Sequence, residues 1–124
     1  MILDSNILIY ASKVQNDLTG TAMTLIKQQN VCVSAISCLE VLGYHKLKND
    51  EKTDLENMLE RMTIFMVSDK VIEQAIALRQ QQSMSLGDAI IAATALQQKQ
   101  VLYTRNTSDF KWIDGLSLVN PFDA

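Results

Sequence analysis

The chain has 124 residues, of which 48% are hydrophobic and 20% charged, so it can bury one sizeable core and is not a disordered protein. One proline and four glycines exclude Pro-rich or Gly-rich linkers and low-complexity tracts, and we expect a single domain over residues 1–124. The net charge of -3 argues against a nucleic-acid partner only if all 14 acids lie on the surface.

The N-terminal residues, MILDSN, contain neither a basic region nor a long apolar run, which predicts that no signal peptide is present. The apolar stretches further along are too short to span a bilayer, so we expect no membrane association and a cytoplasmic location. Cys32 and Cys38 are too few for a disulfide scaffold or a zinc site, and are expected to be small buried residues.

Short apolar segments alternate with amphipathic ones along the chain. In chain order the pattern predicts a strand at 1–3, helices at 6–12 and 21–30, a strand at 31–36, helices at 37–48 and 51–62, a strand at 63–67, helices at 69–82 and from 85 onward, and strands at 101–104 and 116–119, the last at an edge. Strands that are apolar throughout and alternate with helices are typical of a mostly parallel sheet covered on both faces. The predicted fold class is therefore α/β, a three-layer sandwich.

The helix that begins near Ser85 contains an acid in an otherwise apolar run. Its sequence, SLGDAIIAATA, offers almost no polar face, so the helix should be buried. An unpaired buried carboxylate is costly, and Asp88 at the head of this helix therefore needs an explanation.

Four acids follow the predicted strands or begin a helix at the same edge of the sheet. Asp4 directly follows the first strand, Glu40 lies in the first turn or so of the helix after the second strand, and Asp109 lies in the loop after the strand at 101–104. Ligands of open α/β sheets bind outside the carboxyl ends of the strands. We expect Asp88 to join the other three if its helix begins there.

Helix capping is the alternative explanation for these acids. The segments SCLE at 37–40 and SLGD at 85–88 both match a capping box, and Asp4 could cap the helix that follows it. Capping alone does not explain why four acids should meet at one edge. The two roles are compatible, because helix N-termini favour carboxylates.

Clustered carboxylates raise each other's pKa unless a cation neutralises them. Oxygen ligands without nearby His or Cys select Mg²⁺ or Mn²⁺ rather than zinc. Such a site can activate water and stabilise the charge that develops on a phosphate, so phosphodiester hydrolysis is the natural chemistry.

The sequence resembles PIN domains, and in its short length the VapC-type ribonuclease toxins of bacterial toxin–antitoxin pairs. The resemblance rests on four segments in the usual order: LDSN at 3–6, SCLEV at 37–41, LGDAIIAATAL at 86–96 and TRNTSDF at 104–110. It covers essentially the entire chain, and the third segment is the most specific.

The resemblance implies a metal-dependent endoribonuclease with a catalytic quartet of Asp4, Glu40, Asp88 and Asp109. Of these, Asp4, Asp88 and Asp109 would bind Mg²⁺ or Mn²⁺. It also implies an RNA substrate, a cognate antitoxin protein and a homodimer.

Four further positions match the supporting polar groups of the family: Ser5, Asn6, Thr104 and Asn106. Ser5 stands where Thr is common, which retains the hydroxyl, and Asn106 stands where many members carry Asp, which puts a second metal position in doubt. Arg105 and Lys111 flank the Asp109 loop and are candidates for contact with a phosphate.

Two other readings compete with a ribonuclease. A phosphatase with a nucleophilic Asp after the first strand needs a second Asp two residues on, where this chain has Asn6. A non-catalytic interaction module with the same fold would be expected to lack one or more of the four acids. His45, the only histidine, is expected on a solvated helix face, and Trp112 is expected to pack the C-terminal segment against the body.

Overall fold

The computed structural model describes residues 1–13 and 17–123. The elements in chain order are β1 (Ile2–Leu3), α1 (Ser5–Ser12), α2 (Thr19–Ile26), β2 (Cys32–Ser34), α3 (Ala35–Leu42), α4 (Asn49–Glu60), β3 (Thr63–Phe65), α5 (Asp69–Gln81), α6 (Leu86–Gln98), β4 (Leu102–Tyr103), a 3₁₀ helix (Thr107–Asp109) and β5 (Leu118–Val119).

The five strands form one parallel sheet in the order β3-β2-β1-β4-β5, with the N-terminal strand at its centre. Ile2 pairs with Cys32 on one side and with Leu102 on the other. The predicted parallel sheet is confirmed, and β5 is the edge strand that the sequence predicts. Because all strands are parallel, their carboxyl ends meet at one edge.

Successive strand residues point to opposite faces of the sheet and into two separate cores. Ile2, Cys32 and Leu102 belong to the core beneath α5 and α6, which also contains Phe110 and Ile113. The residues that follow the first two, Leu3 and Val33, belong to the core beneath α1, α2 and α4. The three-layer α/β architecture is thus produced by strands that are apolar on both sides.

Helix α6 is buried along most of its length, as its sequence predicts. Its buried residues are Ala89, Ile91, Ala92, Ala93, Thr94 and Ala95. It packs against α5 and contacts α3, and the left-handed conformation of Lys99 (φ 53°) ends it.

Helix α3 begins and ends earlier than the sequence predicts. Its N-cap is Ser34, whose side chain accepts a hydrogen bond from the Ile36 amide, so the predicted capping box at 37–40 is wrong. Glu40 therefore lies in the second turn. The helix stops at Gly43, where an added Cβ would lie 2.4 Å from the Leu39 carbonyl oxygen, and His45 lies in an exposed turn rather than on a helix.

The remaining boundaries differ from the prediction by a few residues. Helix α2 ends at Ile26 instead of 30, because the chain turns into β2 through Asn30, whose φ is 62°. Cys32 is buried as expected, whereas Cys38 is only partly buried, and both thiols are unbridged. None of the described helices combines the length and apolar character that crossing a bilayer requires.

Candidate active site

Asp4 and Thr104 bring the ends of the two central strands together. The backbone of Asp4 continues the β1–β4 ladder by donating to the Tyr103 carbonyl at 3.0 Å. The Thr104 hydroxyl donates to Oδ2 of Asp4 at 2.7 Å and accepts from the Asn106 amide at 3.0 Å, which fixes its orientation. Both side chains are buried. We call the region around Asp4, Glu40, Asp88 and Asp109, at the carboxyl ends of the strands, the cleft.

The environment of Asp4 disfavours its charge. Burial raises the pKa of this carboxyl above its ordinary value, and the hydrogen bond from Thr104 lowers it again in part. The charges of Glu40 and Asp109 raise the pKa further. Asp4 occupies the N-cap position of α1, but its side chain makes no capping hydrogen bond. Capping therefore does not account for Asp4.

Glu40 extends from the exposed side of α3 toward the first turn of α1. Its Oε1 accepts a hydrogen bond of 2.9 Å from the Ser5 hydroxyl. Oγ of Ser5 also lies 3.0 Å from Oγ of Ser37, which is fully buried. On its other side the carboxylate lies against Gly87, where an added Cβ would be 2.7 Å from Oε2. Glu40 is thus held next to the N-terminus of α6.

Asp88 lies in the first turn of α6 and is partly buried. Ser85 caps this helix by accepting a hydrogen bond of 3.1 Å from the Asp88 backbone amide. Of the predicted capping box, the hydrogen bond to Ser85 is confirmed, and the Ser85 side chain also lowers the pKa of the Asp88 carboxyl in part.

Burial raises the pKa of Asp88 to about 6, and the charges of Asp4, Asp109 and Glu40 add to the rise. All three neighbouring charges that raise this pKa belong to the other acids of the predicted quartet. The charges of all three other acids therefore act on Asp88.

Asp109 ends the 3₁₀ helix after β4 and is exposed. Its backbone carbonyl accepts a hydrogen bond of 3.0 Å from Nε1 of Trp112, and the Trp112 ring packs against the core beneath α5 and α6. The prediction that Trp112 packs the C-terminal segment against the body is confirmed. The same contact anchors the loop that bears Asp109.

The acids fit a hard divalent cation by their chemistry, although they do not form a closed cage. Across residues 1–13 and 17–123, no three Asp, Glu, His or Cys side chains stand close enough to enclose a metal ion. Oxygen donors without nitrogen or sulfur suit Mg²⁺ or Mn²⁺. Mutual repulsion opposes a closer approach of the carboxylates, and a bound cation would relieve it.

The other predicted residues differ in how they are placed. Asn6 is partly buried. Asn106 is exposed, and its backbone amide donates a hydrogen bond to the Thr104 hydroxyl. Arg105 lies 5.8 Å from the centre of the Tyr10 ring and donates to the Tyr10 hydroxyl at 3.4 Å. Lys111 is exposed beyond the Asp109 loop. Contact of either basic side chain with a phosphate stays a prediction.

Sequence reasoning missed two residues that support the cleft, Ser37 and Gly87. Ser37 was assigned to a cap that does not form, and Gly87 carries no chemical group that a motif search would single out. Their roles depend on contacts between distant elements. Only the position of Gly87 directly before Asp88 offered a local signal.

The chain resembles known proteins in sequence over nearly its full length. The family model of the PIN domain matches residues 1–116. The ribonuclease VapC2 of Rickettsia felis is 29% identical over 128 residues, which cover 96% of this chain and 96% of the relative.

Solved structures share the same architecture. A toxin–antitoxin complex from Klebsiella pneumoniae contains a chain that is 31% identical, with a TM-score of 0.81 and coverage of 99% of this chain and 98% of that one. A chain in the crystal structure of VapBC2 from Rickettsia felis, bound to a DNA fragment from its promoter, is 26% identical, with a TM-score of 0.78 and 96% coverage of both chains.

Proposed function

The chain belongs to the PIN domain family, and from that premise we propose that it is a metal-dependent endoribonuclease, the toxin of a toxin–antitoxin pair. The observation that supports the proposal is the set of charges around two of the predicted acids: Glu40 and Asp109 raise the pKa of Asp4, and Asp4, Asp109 and Glu40 raise that of Asp88. The similarity to the ribonuclease VapC2 supports the same activity.

Asp4, Asp88 and Asp109 would hold Mg²⁺ or Mn²⁺, with Glu40 beside them. The bound ion would neutralise the carboxylates, lower the pKa of a water molecule and offset negative charge on the scissile phosphate. Thr104 keeps Asp4 in position through its hydrogen bond, and Ser5 does the same for Glu40. Arg105 and Lys111, which flank the Asp109 loop in the sequence, would contact the RNA backbone.

In the reaction, a water oxygen attacks the phosphorus atom, the bond from phosphorus to the leaving oxygen breaks, and the proton lost by water is returned to the solvent or to the leaving group. The carboxylates of the cleft accept protons but do not donate them when ionised. Glu40, an exposed residue, would accept a hydrogen bond from the attacking water.

The partners follow from the relatives. The similar structures from Klebsiella pneumoniae and Rickettsia felis are toxin–antitoxin complexes, the second one bound to promoter DNA. We propose that this chain likewise binds a cognate antitoxin protein. We also propose that it forms a homodimer and acts in the cytoplasm as a single domain of residues 1–124.

The test is incubation of the purified protein with total cellular RNA, in Mg²⁺ or Mn²⁺ and in EDTA. We expect discrete cleavage products with either ion and intact RNA in EDTA. A Glu60→Gln variant, changed at the exposed end of α4 away from the cleft, controls for the loss of an acid as such. Intact RNA in all three conditions would contradict the proposal.

A further inference from the structure

The Glu40 carboxylate is held from two sides although Glu40 is an exposed residue. One oxygen accepts from Ser5, and the other faces Gly87. We propose that Ser37 and Gly87 are positioning residues for Glu40, Ser37 by orienting the Ser5 hydroxyl and Gly87 by leaving the space that the carboxylate fills. This inference rests on the proposed function, in which the negative charge of Glu40 beside Asp4, Asp88 and Asp109 helps to attract the cation, so that displacing the Glu40 carboxylate weakens cation binding.

Ser37, Ser5 and Glu40 form a series of hydrogen bonds, and the direction of each bond follows from the protons that each group carries. Oγ of Ser5 lies 2.9 Å from Oε1 of Glu40 and 3.0 Å from Oγ of Ser37, yet a hydroxyl has one proton. An ionised carboxylate only accepts, and the charged hydrogen bond is the stronger one, so Ser5 donates to Glu40. Ser37 then donates to Ser5.

Because the hydrogen bond between Ser37 and Ser5 is buried, a water molecule cannot readily take the place of the Ser37 hydroxyl. Ser37 is 0% exposed and Ser5 is 6% exposed, so solvent does not reach the hydrogen bond between the two hydroxyls. Without Ser37, the Ser5 hydroxyl loses the group that sets its rotation. The Glu40 carboxylate would then lose an oriented donor, although its own surroundings are unchanged.

Gly87 has no conformational reason to be a glycine. It is the second residue of α6, and of the four glycines, all within the described residues, only Gly115 has a positive φ. Alanine is the better helix former at such a position. A Cβ there would lie 2.7 Å from Oε2 of Glu40, so the space beside Gly87 is occupied by that carboxylate. Because a Glu side chain is flexible, a methyl group would displace the carboxylate without preventing folding.

The first test compares Gly87→Ala with Gly20→Ala. Gly20 is also the second residue of its helix, α2, and an added Cβ there meets nothing within 4 Å. We expect both variants to fold, and Mn²⁺ to raise the melting temperature of Gly20→Ala as it does that of the wild type. For Gly87→Ala, the Mn²⁺ concentration that gives half of the shift should rise about 10-fold or more, as for other changes behind a metal site.

Repeating the Gly87→Ala change in a Glu40→Ala protein distinguishes displacement of the Glu40 carboxylate from damage to α6. In Glu40→Ala protein, the added methyl group meets no carboxylate, so Gly87→Ala should no longer change the Mn²⁺ response. Equal responses of Gly87→Ala and Gly20→Ala in the presence of Glu40 would overturn the role of Gly87. The same effect of Gly87→Ala with and without Glu40 would overturn it as well.

The second test is a double-mutant cycle of Ser37→Ala and Ser5→Ala. If Ser37 acts through Ser5, its removal should weaken the Mn²⁺ response about 10-fold in the wild type and have no further effect once Ser5 is alanine. Ser12→Ala is the control, since it removes a buried hydroxyl that donates to the Ile9 carbonyl. Additive losses would overturn the role of Ser37.

The effect of Mn²⁺ or Mg²⁺ on the melting temperature of the wild type distinguishes a failure of this inference from a failure of the proposed function. A wild-type protein whose melting temperature responds to neither Mn²⁺ nor Mg²⁺ would contradict the proposed function and with it this inference. A responsive wild type whose Gly87→Ala and Ser37→Ala variants respond equally well would contradict this inference alone.

Discussion

At the scale of single residues, the surroundings of Asp4 disfavour a negative charge on its carboxyl. Its carboxyl is buried, and both burial and the acids around it raise its pKa. The hydrogen bonds from the Thr104 hydroxyl and from the Ser5 backbone offset that rise in part. A charge in this position is unfavourable for folding alone, which is typical of residues kept for function.

Asp4→Asn should therefore keep the fold and lose the activity. Asparagine retains an oxygen that can accept from Thr104 and removes the buried charge, so the metal-free melting temperature should not fall. RNA cleavage in Mg²⁺ should drop to the level measured in EDTA. Gel analysis of the RNA and a thermal melt of the same preparation check both parts, and undiminished cleavage would remove Asp4 from the site.

The raised pKa of Asp88 predicts a pH dependence of stability. In the folded protein this pKa is about 6, whereas the ordinary value is 3.8. Between these values the folded state binds the proton more tightly than the unfolded chain. The contribution of Asp88 to stability is therefore largest below about pH 4 and falls as the pH rises through about 6.

Thermal melts of metal-free wild type and Asp88→Asn between about pH 4 and pH 7 test this dependence. We expect the variant to gain in melting temperature relative to the wild type as the pH rises, because it has no charge to place in the cleft. A difference that is the same at every pH would show that Asp88 does not titrate in this range.

At the scale of secondary-structure elements, the first turn of α6 allows helix capping and the proposed metal binding to be tested separately. Ser85 accepts from the Asp88 amide, which any residue at position 88 would donate. Ser85→Ala should cost about 0.5–2 kcal/mol of stability and leave the Mg²⁺-induced rise in melting temperature unchanged. Asp88→Ala should keep the cap and lose most of that rise.

A Mg²⁺ titration of both variants by thermal melting distinguishes the two roles. If Asp88→Ala melts lower than the wild type without metal and then responds to Mg²⁺ in parallel with it, Asp88 supports the helix and does not bind the ion.

The elements also show where sequence reasoning succeeds. The apolar strands and the amphipathic helices predict the parallel sheet, and the positions of Asp4 and Asp109 after two neighbouring strands place them at one edge. The limits of α3 could not be predicted in the same way. Ser34 and Ser37 are both plausible caps, and the choice depends on where β2 stops pairing with β1 and β3.

The support of the cleft is the part that the sequence does not reveal. Ser37 acts on α1 from α3, and Gly87 in α6 lies against a side chain of α3. These contacts depend on how three helices pack, which periodicity does not determine. The four acids were predictable because their chemistry and their strand ends are visible in the sequence, whereas a buried serine and a glycine have no such signature.

At the scale of the whole molecule, the proposed activity predicts a toxic protein. Expression of the wild type alone should arrest growth, and co-expression with the small protein encoded beside it should relieve the arrest. Asp4→Asn, expressed to the same level, is the control and should permit growth. Equal growth with the wild type and with Asp4→Asn, with soluble protein present in both, would count against a toxin.

The bond between Asp4 and Thr104 joins residues 100 positions apart, and it has a consequence for the cell that makes this protein. The ribosome synthesises Asp4 near the start of the chain, and it must still add Asp88, Thr104 and Asp109 before the cleft can form. At about 5–20 residues per second, that takes roughly 5–20 s. Nascent chains and prematurely terminated fragments that end before β4 lack Thr104 and Asp109 and should therefore not cleave RNA, and an inhibitor translated at the same time has this interval in which to accumulate.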